Sequence, residues 1–456
     1  MVILAAAQAA SGQPRLASPV PPASEIRNIL ANRVDRFRPG VCMVVGVIEP
    51  QGRRIVTYGS LGEKDLRSLT GDTLFEIGSI TKVFTSLLLA DMVQRGEVAL
   101  SDPVAKVLPG VTLPERNGKR ITLRDLATHT SGFPKDAPIK TLVNPYEHYS
   151  PEQMYQYLSG LRLTRDIGSR WEYSNIGVAL LGHALALRAG TDYEHLVATR
   201  ITGPLGMNNT WITLTPDARM RLVTGHTMIG PPASENELGT WPAMGAMRSS
   251  AADLLTLLSA FLGHSNTPLA PAMALMVQTR LPIHDGQVQA LGWPWRGPGS
   301  PESTIASHMG ITAGFTSFGG YNPKTRVGVV VLANHVAIDS EEVGNYLLDQ
   351  RFPLKRGKDL TPPKQRVQTA IDPELLNRYA GRYEFPDEKA TVTREGDHLV
   401  LAGDGDLPDA FYAETNQDFF SKIEDLQVHF QIDGAGRVTG FVFHTGGKTK
   451  RVKRID

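Results

Sequence analysis

The sequence has little cysteine: Cys42 is the single one among 456 residues. Within this sequence it has no partner for a disulfide, so we expect a fold that does not depend on one. Cys42 lies in the apolar run VCMVVGVI, which predicts a buried strand. We therefore interpret Cys42 as a core residue rather than a catalytic thiol.

The sequence also lacks an excess of charge of either sign, since it has 47 basic and 46 acidic residues and a formal net charge of +1. This balance does not indicate a nucleic-acid or membrane-surface partner. No stretch approaches the ~18 continuous apolar residues of a membrane span. The sequence contains no HExxH motif and no GxSxG motif. A metallohydrolase and a GxSxG hydrolase are therefore unsupported, and the sequence implies no metal or cofactor. The expected partner is a small molecule or a peptide.

The first 23 residues begin MVILAAAQAASGQ, a short apolar stretch with an AxA-like Ala7-Gln8-Ala9. This resembles the later part of a secretory signal, although a basic leader is missing. We interpret residues 1–23 as a truncated signal or a disordered tail. A signal predicts a periplasmic or secreted protein, and a tail predicts a cytoplasmic one.

Residues 24–351 have the pattern of one α+β domain. An amphipathic stretch, SEIRNILANRVDRF, is followed by two strands, and several apolar helical stretches then end at Gly96, Gly190 and Gly263. The segment TAGFTSFGGYNPKTRVGVVVLANH returns to strand, turn and strand. Strands at both ends of a helical middle predict one antiparallel sheet built from distant segments.

A charged, proline-rich segment at 352–368 breaks the pattern and is interpreted as a linker. Beyond it, residues 369–456 contain short alternating runs separated by Gly and Asp turns, such as YAGRYEF and QVHFQID. This pattern predicts a second, small all-β domain, a barrel or a sandwich.

Ser79 and Lys82 stand three residues apart at the start of a long apolar run. A helix that begins near Ser79 would place both side chains on one face, where the amine can reach the hydroxyl. Lys82 can then act as the base for a serine nucleophile if its pKa is held down. The spacing alone is also explained by a helix cap and a surface charge.

Tyr173-Ser174-Asn175 is the one YxN in the sequence, and another apolar helical run follows it. A phenol at this point can move a proton, and an amide can bind a substrate carbonyl. The alternative is a helix entrance, capped by Ser174 or Asn175, with Tyr173 packed in the core.

These residues resemble the serine β-lactamase and penicillin-binding protein superfamily, in particular its class C branch with the family VIII carboxylesterases, D-aminopeptidases and DD-peptidases. The matching segments, in the family's order, are FEIGSITKVFTS, LRDLATHTSGFP, WEYSNIGVALLG, MGAMRSSAADL and SHMGITAGFTSFGGY. The resemblance implies a sheet flanked by helices, an all-helical subdomain and Ser79 as the nucleophile. The C-terminal region resembles the lipocalin-like barrel appended to some members.

The third element of such sites is a KTG or HxG triplet, and this sequence has no KTG. Of three HxG triplets, His284-Asp-Gly286 precedes the aromatic segment that the family's triplet follows, and His444-Thr-Gly446 lies in the C-terminal domain. His308-Met-Gly310 precedes ITAGFTSFGGY and a long apolar strand, as the family's triplet does. We therefore choose His308.

The resemblance implies a role for each of these residues. Ser79 would form an acyl-enzyme, with Lys82 and Tyr173 sharing the proton transfers; which of them is the acylation base stays open. The backbone N–H groups of Ser79 and Ile311 would form the oxyanion hole, and Gly310 and Ile311 would contact the substrate. Asn175 would orient a substrate oxygen, and a charge on His308 would make activity depend on pH near neutrality.

Met309 departs from the family's usual pattern at a position that affects the choice of substrate. β-Lactam-active members usually carry a hydroxyl residue here, which helps to hold the substrate carboxylate, and methionine cannot donate that bond. We therefore expect a carboxylesterase or peptidase with weak or no β-lactamase activity, acting on a small ester, amide or short peptide. Trp293 and Trp295 are candidates for an apolar cleft wall. The alternative function is a penicillin-binding sensor that is acylated without turnover, and a homo-oligomer is compatible with either.

Overall fold

The structure is a computed structural model that describes residues 19–37, 39–62, 65–139, 144–228, 232–283, 287–297, 305–357, 360, 366–386, 389–403, 407–423, 425–445 and 448–456. Residues 1–18, the 284–286 triplet, Gly446 and most of 358–365 in the expected linker lie outside these ranges. The expectations for those residues therefore stay predictions.

Helices form most of the middle of the chain. Their bounds are α1 Ala23–Val34, α2 Thr81–Gln94, α3 Val104–Val107, α4 Leu123–Ala127, α5 Pro151–Gly160, α6 Asn175–Ala189, α7 Tyr193–Val197, α8 Gly203–Leu205, α9 Pro216–Arg219, α10 Ala251–Phe261, α11 Ala270–Gln278, α12 Ser340–Leu348 and α13 Pro373–Tyr379. Two 3-10 turns, Gly78–Ile80 and Pro242–Met244, and one π-helical segment, Ala198–Thr202, complete this set.

Strands come from both ends of the chain. Their bounds are β1 Cys42–Glu49, β2 Gly52–Gly59, β3 Leu74–Glu76, β4 Glu115–Arg116, β5 Lys119–Arg120, β6 Arg248–Ser250, β7 Leu281–Pro282, β8 Val288–Gln289, β9 Pro294–Arg296, β10 Ile305–Ile311, β11 Thr316–Asn322, β12 Val327–Ala333, β13 Gly381–Glu384, β14 Lys389–Glu395, β15 His398–Gly403, β16 Asp409–Ala413, β17 Asp418–Ser421, β18 Leu426–Ile432, β19 Val438–Thr445 and β20 Lys448–Arg454.

The predicted antiparallel sheet is confirmed. It has eight strands in the order β2-β1-β12-β11-β10-β9-β8-β7, so that β1 pairs with β12 from the far end of the domain. Side chains of α1 and α12 pack on one face of the sheet, while α2, α10 and α11 contribute to the larger core on the other. Strands β1, β11 and β12 are buried almost throughout, because helices cover both faces.

Helices α2 and α6 carry the functional segments. Helix α2 is apolar on nearly all sides and is buried from Thr81 to Met92. Helix α6 is capped by Ser174, whose Oγ accepts from the Gly177 N–H at 3.0 Å, and it ends at Gly190 with φ +70°. The start of α6 is therefore held by a local cap directly after Tyr173, while α2 is held by the burial of its side chains.

The second all-β unit is confirmed as a closed barrel of strands β13 to β20. Its interior is packed with aromatic side chains, including Phe411, Phe419, Phe430 and Phe441. Tyr379 of α13 stacks on Phe430 with ring centroids 4.0 Å apart, which places this helix against the barrel core. Among the described helices, none combines the length and the apolar character needed to cross a bilayer.

Candidate active site

Ser79 lies in the 3-10 turn Gly78–Ile80, and its hydroxyl oxygen has polar neighbours from two parts of the chain. The Nζ atom of Lys82, one helical turn later, lies 2.9 Å from Ser79 Oγ. The Tyr173 phenol donates to the same oxygen at 2.8 Å. The structure thus places the serine hydroxyl between an amine and a phenol.

Lys82 is 1% exposed, and its amine donates to the carbonyl oxygen of Met244 at 2.6 Å. Burial lowers the pKa of Lys82 to about 7, against a smaller opposing effect of the Asp136 charge. Near neutral pH a large share of this lysine is therefore a neutral amine, whose lone pair can accept the proton of Ser79.

Tyr173 is surrounded by other rings. Its centroid lies 4.6 Å from that of His129 and 6.5 Å from that of His308, and Lys82 Nζ is 5.0 Å from it. Burial raises the pKa of Tyr173 above its usual value, so the group is a phenol at neutral pH. The Nδ1 atom of His129 accepts from the Ser174 N–H at 3.1 Å, and burial lowers the pKa of His129 well below its usual value. The neutral His129 ring therefore supports Tyr173 without adding charge.

His308 lies on β10, where it pairs with Gly319 of β11. Its Nδ1 is 2.7 Å from the carbonyl oxygen of Met309, and because a carbonyl only accepts, Nδ1 carries the proton and Nε2 is an acceptor. Burial, with the nearby charge of Lys82, lowers the pKa of His308 to about 3. The ring is only 6% exposed and neutral near pH 7, so it does not carry the charge through which His308 was expected to make activity depend on pH near neutrality.

Asn175 is the first residue of α6, and its side-chain nitrogen donates to Asp136 Oδ1 at 3.0 Å. One N–H of the amide that was expected to hold a substrate oxygen is therefore already engaged. Neither Asp136 nor His129 is among the residues predicted from the sequence. His129 lies within the segment LRDLATHTSGFP, and Asp136 lies two residues after it. The available signal was that this segment belongs to the family match and has polar residues among apolar ones.

The expected oxyanion hole lies where Gly78 meets the end of β10. Gly78 has φ +48°, and a Cβ built on it would lie 2.8 Å from the backbone nitrogen of Ile311. Ser317 Oγ donates to the carbonyl oxygen of Ile77 at 2.8 Å and ties this turn to β11. The main chain of Ile311 thus lies next to the turn that carries Ser79. An oxyanion hole formed by the backbone N–H groups of these two residues requires such a close approach.

We predict that Gly310→Ala lowers kcat by roughly 100-fold, the order of losing one oxyanion donor. A Cβ on Gly310 would collide with the carbonyl oxygen of Ile77, so β10 must move away from the turn before Ser79. Gly319→Ala is the matched control, because its Cβ would meet only Ile80 Cδ1, at 3.6 Å. Steady-state kinetics with a p-nitrophenyl ester, together with melting curves, measure both; an unchanged kcat in Gly310→Ala would contradict this account.

Trp293, predicted as a wall of the cleft, lies in the core. Its side chain is 1% exposed, and its ring stands edge-on to Phe261 at 5.3 Å and to Tyr321 at 5.4 Å. Trp295 is 3% exposed and also packs against Tyr321. Trp293 and Trp295 therefore fill space between the sheet and its helices, where full burial of a large apolar ring is most favourable. The prediction that they form a wall of the cleft is wrong.

The described part of the chain contains no group of three or more His, Cys, Asp or Glu side chains placed to hold a metal ion. The chemistry assembled around Ser79 instead comes from an amine, a phenol and backbone N–H groups. This is the set that a serine nucleophile needs for activation and for stabilising a tetrahedral intermediate.

Two family models match parts of this chain. The beta-lactamase family model matches residues 26–351, and a model described as a domain of unknown function (DUF3471) matches residues 365–453. The second match covers the closed barrel.

Three similar proteins represent the range of relatives. The D-alanyl-D-alanine-carboxypeptidase/endopeptidase AmpH of Escherichia coli (strain K12) is 29% identical over 324 residues, which are 68% of this chain and 83% of that protein. Penicillin-binding protein 4* of Bacillus subtilis (strain 168) is 25% identical over 440 residues, 90% of this chain and 94% of its own length. The crystal structure of a class C beta lactamase from Rhodobacter sphaeroides has a TM-score of 0.62 and 27% identity, with 72% of this chain and 98% of that chain covered. By its family match, its fold and its relatives, this chain belongs to the beta-lactamase family and is a class C-like serine hydrolase.

Proposed function

We propose that the protein cleaves an ester or an amide or peptide bond through an acyl-enzyme on Ser79, with weak or no activity on β-lactams. The observation that carries this proposal is the position of Ser79 Oγ, 2.9 Å from the Lys82 amine and 2.8 Å from the Tyr173 phenol. A nucleophile with a base and a proton donor at hydrogen-bond distance has the parts needed for acyl transfer.

In the proposed reaction Lys82 is the base in acylation. Its pKa of about 7 makes a neutral amine available at neutral pH, whereas the raised pKa of Tyr173 keeps that group protonated. Ser79 Oγ bonds to the substrate carbonyl carbon as its proton passes to Lys82. The bond from that carbon to the leaving oxygen or nitrogen then breaks, the leaving atom takes a proton from the Tyr173 phenol, and the proton on Lys82 passes to Tyr173 to restore the phenol. A water molecule then cleaves the acyl-serine bond and restores the hydroxyl.

The preference against β-lactams rests on the strand that carries His308. A β-lactam carboxylate is usually held by a cation and a hydroxyl, but His308 is neutral near pH 7, with its pKa lowered to about 3, and the next residue is Met309. A missing hydrogen bond to a charged group weakens binding by roughly 10- to 100-fold. The AmpH relative is named as a carboxypeptidase and endopeptidase for D-alanyl-D-alanine, which supports a peptide as the alternative to an ester.

The test is burst-phase kinetics with intact-mass detection on a p-nitrophenyl ester, a chromogenic cephalosporin and D-alanyl peptides. We expect a transient acyl mass that peptide mapping locates on Ser79, and a kcat/KM for the best ester or peptide above that for the cephalosporin. A label on another residue would contradict the mechanism. A cephalosporin turned over fastest would contradict the substrate preference, and an acyl mass that persists without turnover would favour a sensor.

A further inference from the structure

His129 binds the short segment that carries the Tyr173 phenol at two points. Its carbonyl oxygen accepts from the Glu172 N–H at 2.8 Å, and its Nδ1 accepts from the Ser174 N–H at 3.1 Å. Between these two bonds the His129 ring lies against the ring of Tyr173, with centroids 4.6 Å apart. One residue therefore holds the backbone on both sides of Tyr173 and also packs against its side chain.

The hydrogen bond from Ser174 determines where the His129 ring carries its proton. An N–H donates only to a nitrogen with a free lone pair, so Nδ1 is unprotonated and the neutral ring is protonated on Nε2. Burial, together with the charge of Lys82, lowers the pKa of His129 well below its usual value, which keeps Nδ1 an acceptor at neutral pH. Ser174 is 1% exposed, so its N–H would be buried and unpaired without Nδ1.

The backbone of His129 is itself held in an uncommon conformation. Its φ is +58°, in the left-handed region, which histidine, asparagine and aspartate adopt more often than other residues with a side chain. The neighbouring residue fixes this turn, because the Thr130 N–H donates to the carbonyl oxygen of Asp125 and the Thr130 oxygen accepts from the Gly168 N–H, both at 2.9 Å. A conformation of this kind persists only where surrounding contacts impose it. The His129 ring thus has a fixed position against Tyr173.

A shift of Tyr173 would act directly on proton transfer. Its phenol lies 2.8 Å from Ser79 Oγ, and a hydrogen bond weakens steeply when its geometry is lost. A misplacement of about 1 Å at a reacting group lowers a rate by ~10²-fold. Among the described hydrogen bonds of His129, none involves Ser79 or Lys82, so its effect on the reaction passes through Tyr173.

We propose that His129 is a positioning residue that aligns the Tyr173 phenol with the leaving group, and thereby determines how basic a leaving group the enzyme expels. This inference rests on the proposed function, in which Tyr173 supplies the proton to the leaving atom. Alkyl esters and amides depend on His129 most, because their leaving atoms must be protonated to depart. An activated aryl ester depends on it much less, because its phenolate leaves without a proton.

The test compares ethyl butyrate with p-nitrophenyl butyrate, which form the same acyl-enzyme and differ only in the leaving group. The measured quantity is the ratio of kcat/KM for the ethyl ester to that for the p-nitrophenyl ester. We expect His129→Phe, which keeps an aromatic ring but removes the acceptor, to lower this ratio by roughly 30-fold. His129→Asn should keep the ratio within about 3-fold of wild type, because its side-chain oxygen can replace Nδ1 and asparagine tolerates a positive φ.

Two controls separate positioning of Tyr173 from a general loss of structure. His183→Phe makes the same substitution at another histidine whose ring nitrogen bonds a neighbour, Tyr155, and it should keep the wild-type ratio. In a Tyr173→Phe background the phenol is already absent, so adding His129→Phe should lower the ratio no further. If His129→Phe does not fold, His129→Gly replaces it, since glycine adopts φ +58° without strain.

Four results would overturn this inference. They are an unchanged ratio in His129→Phe or His129→Gly, an equal fall in His183→Phe, a fall in His129→Asn as large as in the phenylalanine variant, and a further fall in the double variant. A ratio that falls in Tyr173→Phe but not in His129→Phe rejects the inference and keeps the proposed function. A wild-type ratio in Tyr173→Phe rejects the proton donation by Tyr173 in the proposed function, and the inference with it.

Discussion

Alanine at position 79 is expected to lower kcat/KM for the best substrate by at least about 10⁴-fold. Without Oγ no acyl bond can form, and the amine of Lys82 and the phenol of Tyr173 lose the atom that they both contact. What remains is catalysis by substrate binding and the oxyanion hole acting on water. Steady-state kinetics of the purified variant, with intact-mass detection, measures both the rate and the lost acyl adduct.

The control for this prediction comes from the same helix. Ser86 is 1% exposed, and its side chain faces Gly292. Ser86→Ala therefore removes a buried hydroxyl of α2 and should leave kcat/KM within about 3-fold of wild type. Turnover in Ser79→Ala within about 10-fold of wild type would mean that the nucleophile is another residue.

Lys82→Met is expected to lower kcat/KM by roughly 10³-fold, because it removes the proposed base while filling nearly the same space. In the wild type, log kcat/KM should rise with pH through about 7, since only the neutral amine can accept the Ser79 proton and the pKa of Lys82 is lowered to about 7. His308 should add no step near pH 6.5, because burial lowers its pKa to about 3. A profile that is flat from pH 6 to 8 would contradict the assignment of Lys82.

The same variant should be more stable than the wild type near pH 7. The folded pKa of Lys82 lies below that of the unfolded chain, so the unfolded state binds the extra proton between about pH 7 and 10.5 and the free energy of unfolding rises with pH across that range. Removing the buried amine should therefore raise that free energy by roughly 1–2 kcal/mol at pH 7, and by less at pH 10.

Melting curves at both pH values measure this difference. Lys106→Met is the matched control, since that exposed lysine pairs with Asp102 in the adjacent turn of the chain and its removal should change neither activity nor the pH dependence. A Lys82→Met variant less stable than wild type at pH 7 would show that the hydrogen bond to Met244 outweighs the burial of the amine.

The sequence was informative wherever function depends on local geometry. Ser79 and Lys82 meet because they stand three positions apart at a helix start, and the helix itself was visible as an apolar run. Tyr173 could be placed because another apolar helix follows its triplet. The sheet followed from apolar strand-like runs at both ends of a helical middle, and the barrel followed from the alternation of its strands. In each of these cases the pattern and the structure share one physical cause, which is the burial of apolar side chains in a regular element.

The rest depended on contacts between distant segments. His308 is neutral because burial, together with the nearby charge of Lys82, lowers its pKa, and nothing in its triplet shows that packing. Trp293 was expected at the wall of the cleft, whereas its ring packs against Phe261 and Tyr321 in the core. The bond between Asp136 and Asn175 joins residues 39 positions apart, and no local pattern in the sequence shows it.

The pairing of β1 with β12 limits how early the catalytic domain can fold during its synthesis. Cys42 N–H donates to Asn334 Oδ1, a bond between residues 292 positions apart. Ribosomes add roughly 5–20 residues per second, so β1 waits roughly 15–60 s for its neighbour to be made. An unpaired apolar strand edge readily joins strands of other chains. The first strand to be synthesised is thus among the last to be completed, and during that interval the nascent chain presents an aggregation-prone edge that the finished enzyme conceals.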